Sequence, residues 1–133
     1  MARSADRNNF NSARATCLNC MDGRVQLPVL NWIRKRYAVQ FVDVITRAGM
    51  DGALALSDDI GEIVRSVDIS VKINGSSRIF VAGHHDCRGN PADSKTHRRH
   101  IMKAVRRLKR LRQGLEVIGL WVNSRWQVEV CRG

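Results

Sequence analysis

Cys20, Asp22 and Arg24 alternate along one short stretch, Cys20-Met21-Asp22-Gly23-Arg24. His84 and Cys87 stand three apart in a second, Gly83-His84-His85-Asp86-Cys87. Thiolate and imidazole are donors that zinc takes in a tetrahedron, and a catalytic ion keeps one position for water. Cys20, His84 and Cys87 would supply three ligands and leave the fourth position open. The first stretch follows an apolar-leaning run and precedes Val25-Gln26-Leu27-Pro28; the second follows Ile79-Phe80-Val81-Ala82. Both read as turns at the carboxyl end of a strand, and the expectation is that they meet around one zinc ion.

Blander chemistries stand beside that one. Cys17-Leu18-Asn19-Cys20 is a C-x-x-C, which would make Cys17 a fourth ligand of a closed structural site or half of a redox pair. An extended strand over residues 14–20 puts positions 17 and 20 on opposite faces, which sends Cys17 to the core. A redox pair would sit on the turn that opens a helix, whereas Pro28 and its helix arrive later. His85 reads as a solvated histidine or a companion of the ligands, Cys131 as unrelated, and His97 and His100 as surface residues among arginines.

The elements that must position these residues follow from periodicity. Residues 14–20, 39–45, 78–82 and 116–121 read as strands, the last followed by a turn at Asn123-Ser124-Arg125 and an edge strand over 126–130. Pro28 suits the first turn of a helix, with Val29, Leu30, Ile33 and Tyr37 on one face. Residues 49–52 read as a loop. Ser57 reads as the N-cap of a helix with Asp58 and Asp59 in its first turn, a stripe of Ile60, Ile63, Val64, Val67 and Val71, and a stop at Asn74-Gly75. Ser94 reads as the cap of a last helix running to about Gln113, with Ile101, Val105, Leu108 and Leu111 inward. The sum is an α/β fold: a mostly parallel sheet of about four strands, flanking helices and an antiparallel C-terminal edge. Ligands of such sheets collect at the carboxyl ends of strands where strand order reverses. If strands one and three are neighbours, the two turns converge there.

The 133 residues fit one domain over 13–133 behind a polar arm, 1–12, that has no signal-peptide core. No run approaches the roughly 20 apolar residues of a membrane helix, and the expected setting is cytoplasmic. The net charge is +11, and residues 95–112 hold nine of the 23 Lys and Arg with no acid. That helix reads either as a surface for nucleic acid or an acidic partner or, as favoured, as one solvated face, since it lacks the aromatic interleaving of single-strand binders.

Cys-x-Asp-x-Arg after strand one, with Gly-His-x-x-Cys after strand three, resembles the β-class carbonic anhydrases. The likeness runs from about residue 13 to 130, and is strongest to very short members in which Cys-Met-Asp-Gly-Arg leads straight into Val-Gln-Leu-Pro. The resemblance implies zinc on Cys20, His84 and Cys87, with Asp22 and Arg24 as a carboxylate–guanidinium dyad that orients zinc-bound hydroxide toward CO2. It also implies a homodimer or higher homo-oligomer. Where the family commonly reads Arg-Asn-Ala-Gly after strand two, this chain has Thr46-Arg47-Ala48-Gly49, and Arg88 replaces the glycine after the second zinc cysteine. Gln26, Leu27 and Trp32 are candidates for the pocket wall. Two other functions are carried alongside CO2 hydration. One is hydrolysis of carbonyl sulfide or carbon disulfide, and the other is a zinc-stabilised binding protein that uses the basic helix.

Overall fold

The structure is a computed structural model and describes residues 14–133; the expected arm over 1–12 lies outside them. Its elements are β1 (Arg14–Asn19), α1 (Gln26–Tyr37), β2 (Phe41–Thr46), α2 (Met50–Leu56), α3 (Gly61–Asp68) continuing into a π-helical turn (Ile69–Ile73), β3 (Arg78–His84), α4 (Ser94–Leu111), β4 (Glu116–Val122) and β5 (Val128–Cys131). One five-stranded sheet has the order β2-β1-β3-β4-β5. All neighbours are parallel except β4 and β5, which are antiparallel. The α/β expectation holds.

Side chains alternate across a strand, so each strand feeds two cores. Leu18, Ile79, Val81, Val117 and Trp121 join α2, α3 and α4 on one face. Ala15, Cys17, Phe80, Ala82, Leu120 and Val122 join Val25, Val29 and Ile33 of α1 and its approach on the other. Val29 and Ile33 are fully buried, each worth roughly 2 kcal/mol of apolar burial. The chain leaves β1 for β2 on one side and returns for β3 on the other. The reversal therefore falls between β1 and β3, where the two turns of interest emerge.

Several local expectations are corrected. Residues 49–52 are not a loop, because Met50 begins α2 and Leu54 and Ala55 are buried. Ser57 closes α2 rather than capping α3, donating its backbone N–H to Ala53 O; Asp59 Oδ1 instead accepts from Gly61 N at 2.9 Å. Asp93, not Ser94, caps α4, accepting from Thr96 N at 2.8 Å. Leu111 is 44 % exposed where the helix runs past the end of the sheet. Trp126 belongs to the β4–β5 turn, at φ 59, and the edge strand starts at Val128.

His97 is the largest departure. It is fully buried, its Nδ1 lying 2.6 Å from Asp51 Oδ2 and its ring beside Trp121. Asn90 Nδ2 donates to Asp51 Oδ1 at 3.1 Å and reaches His100 Nδ1 at 3.0 Å, so His100 is half-buried as well. Sequence pattern placed both among arginines. A buried acid on the helix missed at 50–56 draws them inward, since a buried carboxylate must be paired.

Candidate metal centre

Cys20 is the first residue past β1, His84 the last of β3, and Cys87 closes the turn that follows. Parallel pairing of β1 with β3 brings these ends together. The Cys20 and Cys87 Sγ atoms are 3.9 Å apart, and with a His84 ring nitrogen all donor atoms lie within 4.8 Å of one another. Two thiolates on tetrahedral zinc at about 2.3 Å each sit roughly 3.8 Å apart. All three residues are buried.

The imidazole is prepared for a cation. His84 Nδ1 lies 2.7 Å from the His85 carbonyl, which can only accept, so Nδ1 carries the proton and Nε2 a lone pair. Nε2 is buried without a hydrogen-bond partner. Gly49 N–H donates to Cys20 Sγ at 3.5 Å. Burial pushes the Cys87 thiol up to about 11, and the neighbouring Cys20 adds to the effect. An orphaned imidazole nitrogen and two crowded thiols are what a soft divalent cation would satisfy, so the residues present fit zinc.

Glycines let the turns approach. A Cβ on Gly49 would lie 2.5 Å from the Gly89 backbone, and one on Gly89 would lie 2.4 Å from Gly49 N. Arg88 stands where the resemblance expects a glycine, and the close approach is made one residue later, by Gly89.

Beside the donors, Arg24 holds Asp22 through Nε and Nη2, the latter at 2.7 Å from Oδ2, and through its own backbone N–H at 2.9 Å from Oδ1. These hydrogen bonds keep the Asp22 carboxyl down at about 2. Arg24 is held in turn by Asp86, through its carboxylate at 3.1 Å and its carbonyl at 3.0 Å, and by the Trp126 ring 4.8 Å away. Asp86 adopts φ 57, a left-handed turn that aspartate tolerates.

Among the described residues no fourth His, Cys, Asp or Glu joins the donor group. Cys17 is buried in the core, its thiol pushed up to about 12 by desolvation. Cys17 and Cys20 are not sent to opposite faces as expected; both belong to the same apolar cluster. β1 ends at Asn19, so the extended backbone on which the alternation depends stops before Cys20. Gln26 Nε2 donates to the Cys20 and Asp22 carbonyls at 2.7 and 2.9 Å and fixes the turn. Trp32 packs against Tyr37, the rings tilted by 57° with centroids 6.0 Å apart. Leu27 is exposed, as is His85, in keeping with its solvated reading. Sequence reasoning missed Asp86 and Trp126. An acid inside the second turn was a usable signal for Asp86; nothing local marks Trp126.

Sheet order, switch point and donor set define an α/β protein with a candidate cysteine–histidine metal centre. The sequence family described as "Putative carbonic anhydrase" matches residues 10–132, and the chain belongs to that family. Its fold is that of the β-carbonic anhydrases. Carbonic anhydrase from Streptococcus mutans superposes with a TM-score of 0.65 at 16% identity, over 98% of this chain and 93% of that one. The enzyme from Glaciozyma antarctica gives 0.61 at 14%, covering 98% and 94%. One of two tetrameric β-carbonic anhydrases from Sordaria macrospora gives 0.59 at 14%, covering 97% and 89%. A comparison with curated proteins gave no match.

Proposed function

We propose that this chain is a zinc-dependent lyase interconverting CO2 and bicarbonate, with zinc on Cys20, His84 and Cys87. The observation that carries the reading is the convergence of these three donors with His84 Nε2 unpartnered. Zinc held there supplies a nucleophile at neutral pH, because it lowers the pKa of bound water to about 7.

The chain's own groups do the rest. Arg24 fixes Asp22 in a bidentate pair and keeps it ionised, so its oxygens accept and aim a proton rather than donate one. Asp86 and Trp126 keep Arg24 from swinging away. Held by Arg24, Asp22 stays outside the donor group, which would leave a bound zinc open to water. A reducing cytoplasm suits the site, since all four cysteines are free. Assembly as a homodimer or larger homo-oligomer extends the reading, in line with the tetrameric relative.

The test is stopped-flow CO2 hydration together with metal analysis. One zinc per chain and turnover well above background are expected, both lost in Cys20→Ser and His84→Gln. A fully zinc-loaded protein at background rate near pH 8 to 9, above the pKa of about 7 for zinc-bound water, would overturn the activity.

A further inference from the structure

The basic helix α4 divides into two sets of cations. Arg107 reaches across to the Leu54, Ser57 and Asp58 carbonyls at the end of α2, and Arg112 forms a two-pronged pair with Asp68, both bonds 2.6 Å. These two build the fold. Lys95, Arg98, Arg99, Lys103 and Arg106, with Arg132 beyond β5, ring a groove of about 630 Å3; of these Arg98 is also tied to the fold, lying over the Trp121 ring. Among the described residues no Asp or Glu lines it. Glu129 on β5 holds Arg98 at 2.7 Å. The floor is apolar, made by Leu56, Met102 and Cys131, and Gly133 lies against Met102. The volume lies in the range of small-molecule sites, which run from about 300 to 1,000 Å3.

Lys95, Arg99 and Lys103 stand one turn apart, about 6 Å between neighbours along the axis. A single anion cannot meet all three, whereas a chain of phosphates can. Exposed like charges held this close repel one another unless an anion lies among them. Guanidinium planes also stack on flat rings, and the apolar floor gives such a ring somewhere to rest. We propose that this groove is a second binding site, separate from the metal centre, that takes a nucleoside polyphosphate. Its phosphates lie among Lys95, Arg99, Lys103, Arg106 and Arg132, and its base lies on the Leu56–Met102 floor.

ATP is the probe, titrated calorimetrically into the full chain at about 100 mM salt, where the Debye length is near 10 Å. One equivalent is expected, with inorganic triphosphate and adenosine each binding more weakly. Lys103→Gln with Arg106→Gln should weaken ATP about tenfold or more, since charge-assisted contacts to phosphate are the strong ones. Arg34→Gln with Lys35→Gln, on α1 across the sheet, should change it less than about twofold, because distant exposed charges are screened. If the first pair melts early, Lys95→Gln with Arg132→Gln gives the same reading. Equal losses in the groove and α1 variants, several equivalents of ATP, or no ATP binding would each overturn the site. So would an oligo(dT) complex without an ATP complex, which would assign the helix to nucleic acid.

Discussion

At the scale of single residues, the centre rests on which atoms are already satisfied. His84 spends Nδ1 on the His85 carbonyl and has nothing for Nε2, and Asp22 is committed to Arg24. Arg24 therefore decides where the carboxylate points. With Arg24→Met, Asp22 loses the hydrogen bonds that hold it low and gains freedom to turn toward the donors. CO2 hydration should fall about 100-fold while zinc content stays at one per chain, in keeping with what a positioned proton-transfer group contributes. Parallel loss of zinc would show that Arg24 supports the fold instead. Because the Asp22 carboxyl sits near 2, its titration contributes nothing to an activity profile taken near neutrality.

At the scale of elements, two polar clusters fix the helices, one buried and one half-buried. Asp51 on α2 meets His97 on α4, and Gly83 leaves room for it. A Cβ there would lie 2.5 Å from Asp51 Oδ2. This clamp sits directly before His84 and holds α2 and α4 against the end of β3. His97→Leu leaves Asp51 buried with one partner fewer, and should cost about 3 kcal/mol in thermal or denaturant unfolding; a loss under about 1 kcal/mol, typical of an exposed pair, would remove the clamp. Asp43 on β2 is the second cluster, taking hydrogen bonds from Arg14 at 2.7 Å, Ser70 at 2.7 Å and Asn74 at 2.9 Å. Burial alone would raise its carboxyl, but the hydrogen bonds from Asn74, Ser70 and Arg14 outweigh it and lower it. A carboxyl depressed by folding adds stability above its unfolded pKa of about 3.9, and that stability is lost as pH falls through the folded value. Asp43→Asn should thus destabilise the protein at neutral pH by about 1 to 2 kcal/mol and flatten the acid side of its stability curve. An unchanged acid limb would count against it.

At the scale of the whole molecule, β2 is the edge strand of the sheet among the described residues. Val44 on it is 38% exposed, and Met21 and Leu27 on either side of the first turn are 65% and 68% exposed. Apolar surface of this kind invites a second chain. Light scattering during gel filtration should give a mass that is a multiple of the 15.0 kDa chain, and a monomer at micromolar concentration would count against assembly. Among the described residues no helix is long and apolar enough to cross a membrane.

The strands, the order of α/β units, the stop at Gly75 and the three donors were legible in the chain because each is a local pattern: β-branched runs, one apolar stripe, turn residues at strand ends. The missed helix at Met50–Leu56 carries Gly52 and only seven residues, too short for a period to show, and its stability comes from burial against α4. Tertiary packing alone decided that His97 turns inward to Asp51 and that Trp126 covers Arg24 from a hairpin about 100 residues away along the chain. It also decided that Arg107 and Arg112 of the last helix are tied into the fold while Lys95, Arg99, Lys103 and Arg106 line a groove. Local sequence sets backbone preference and which face is apolar. Which polar groups meet across the sheet depends on how the strands are ordered, and only the folded chain expresses that.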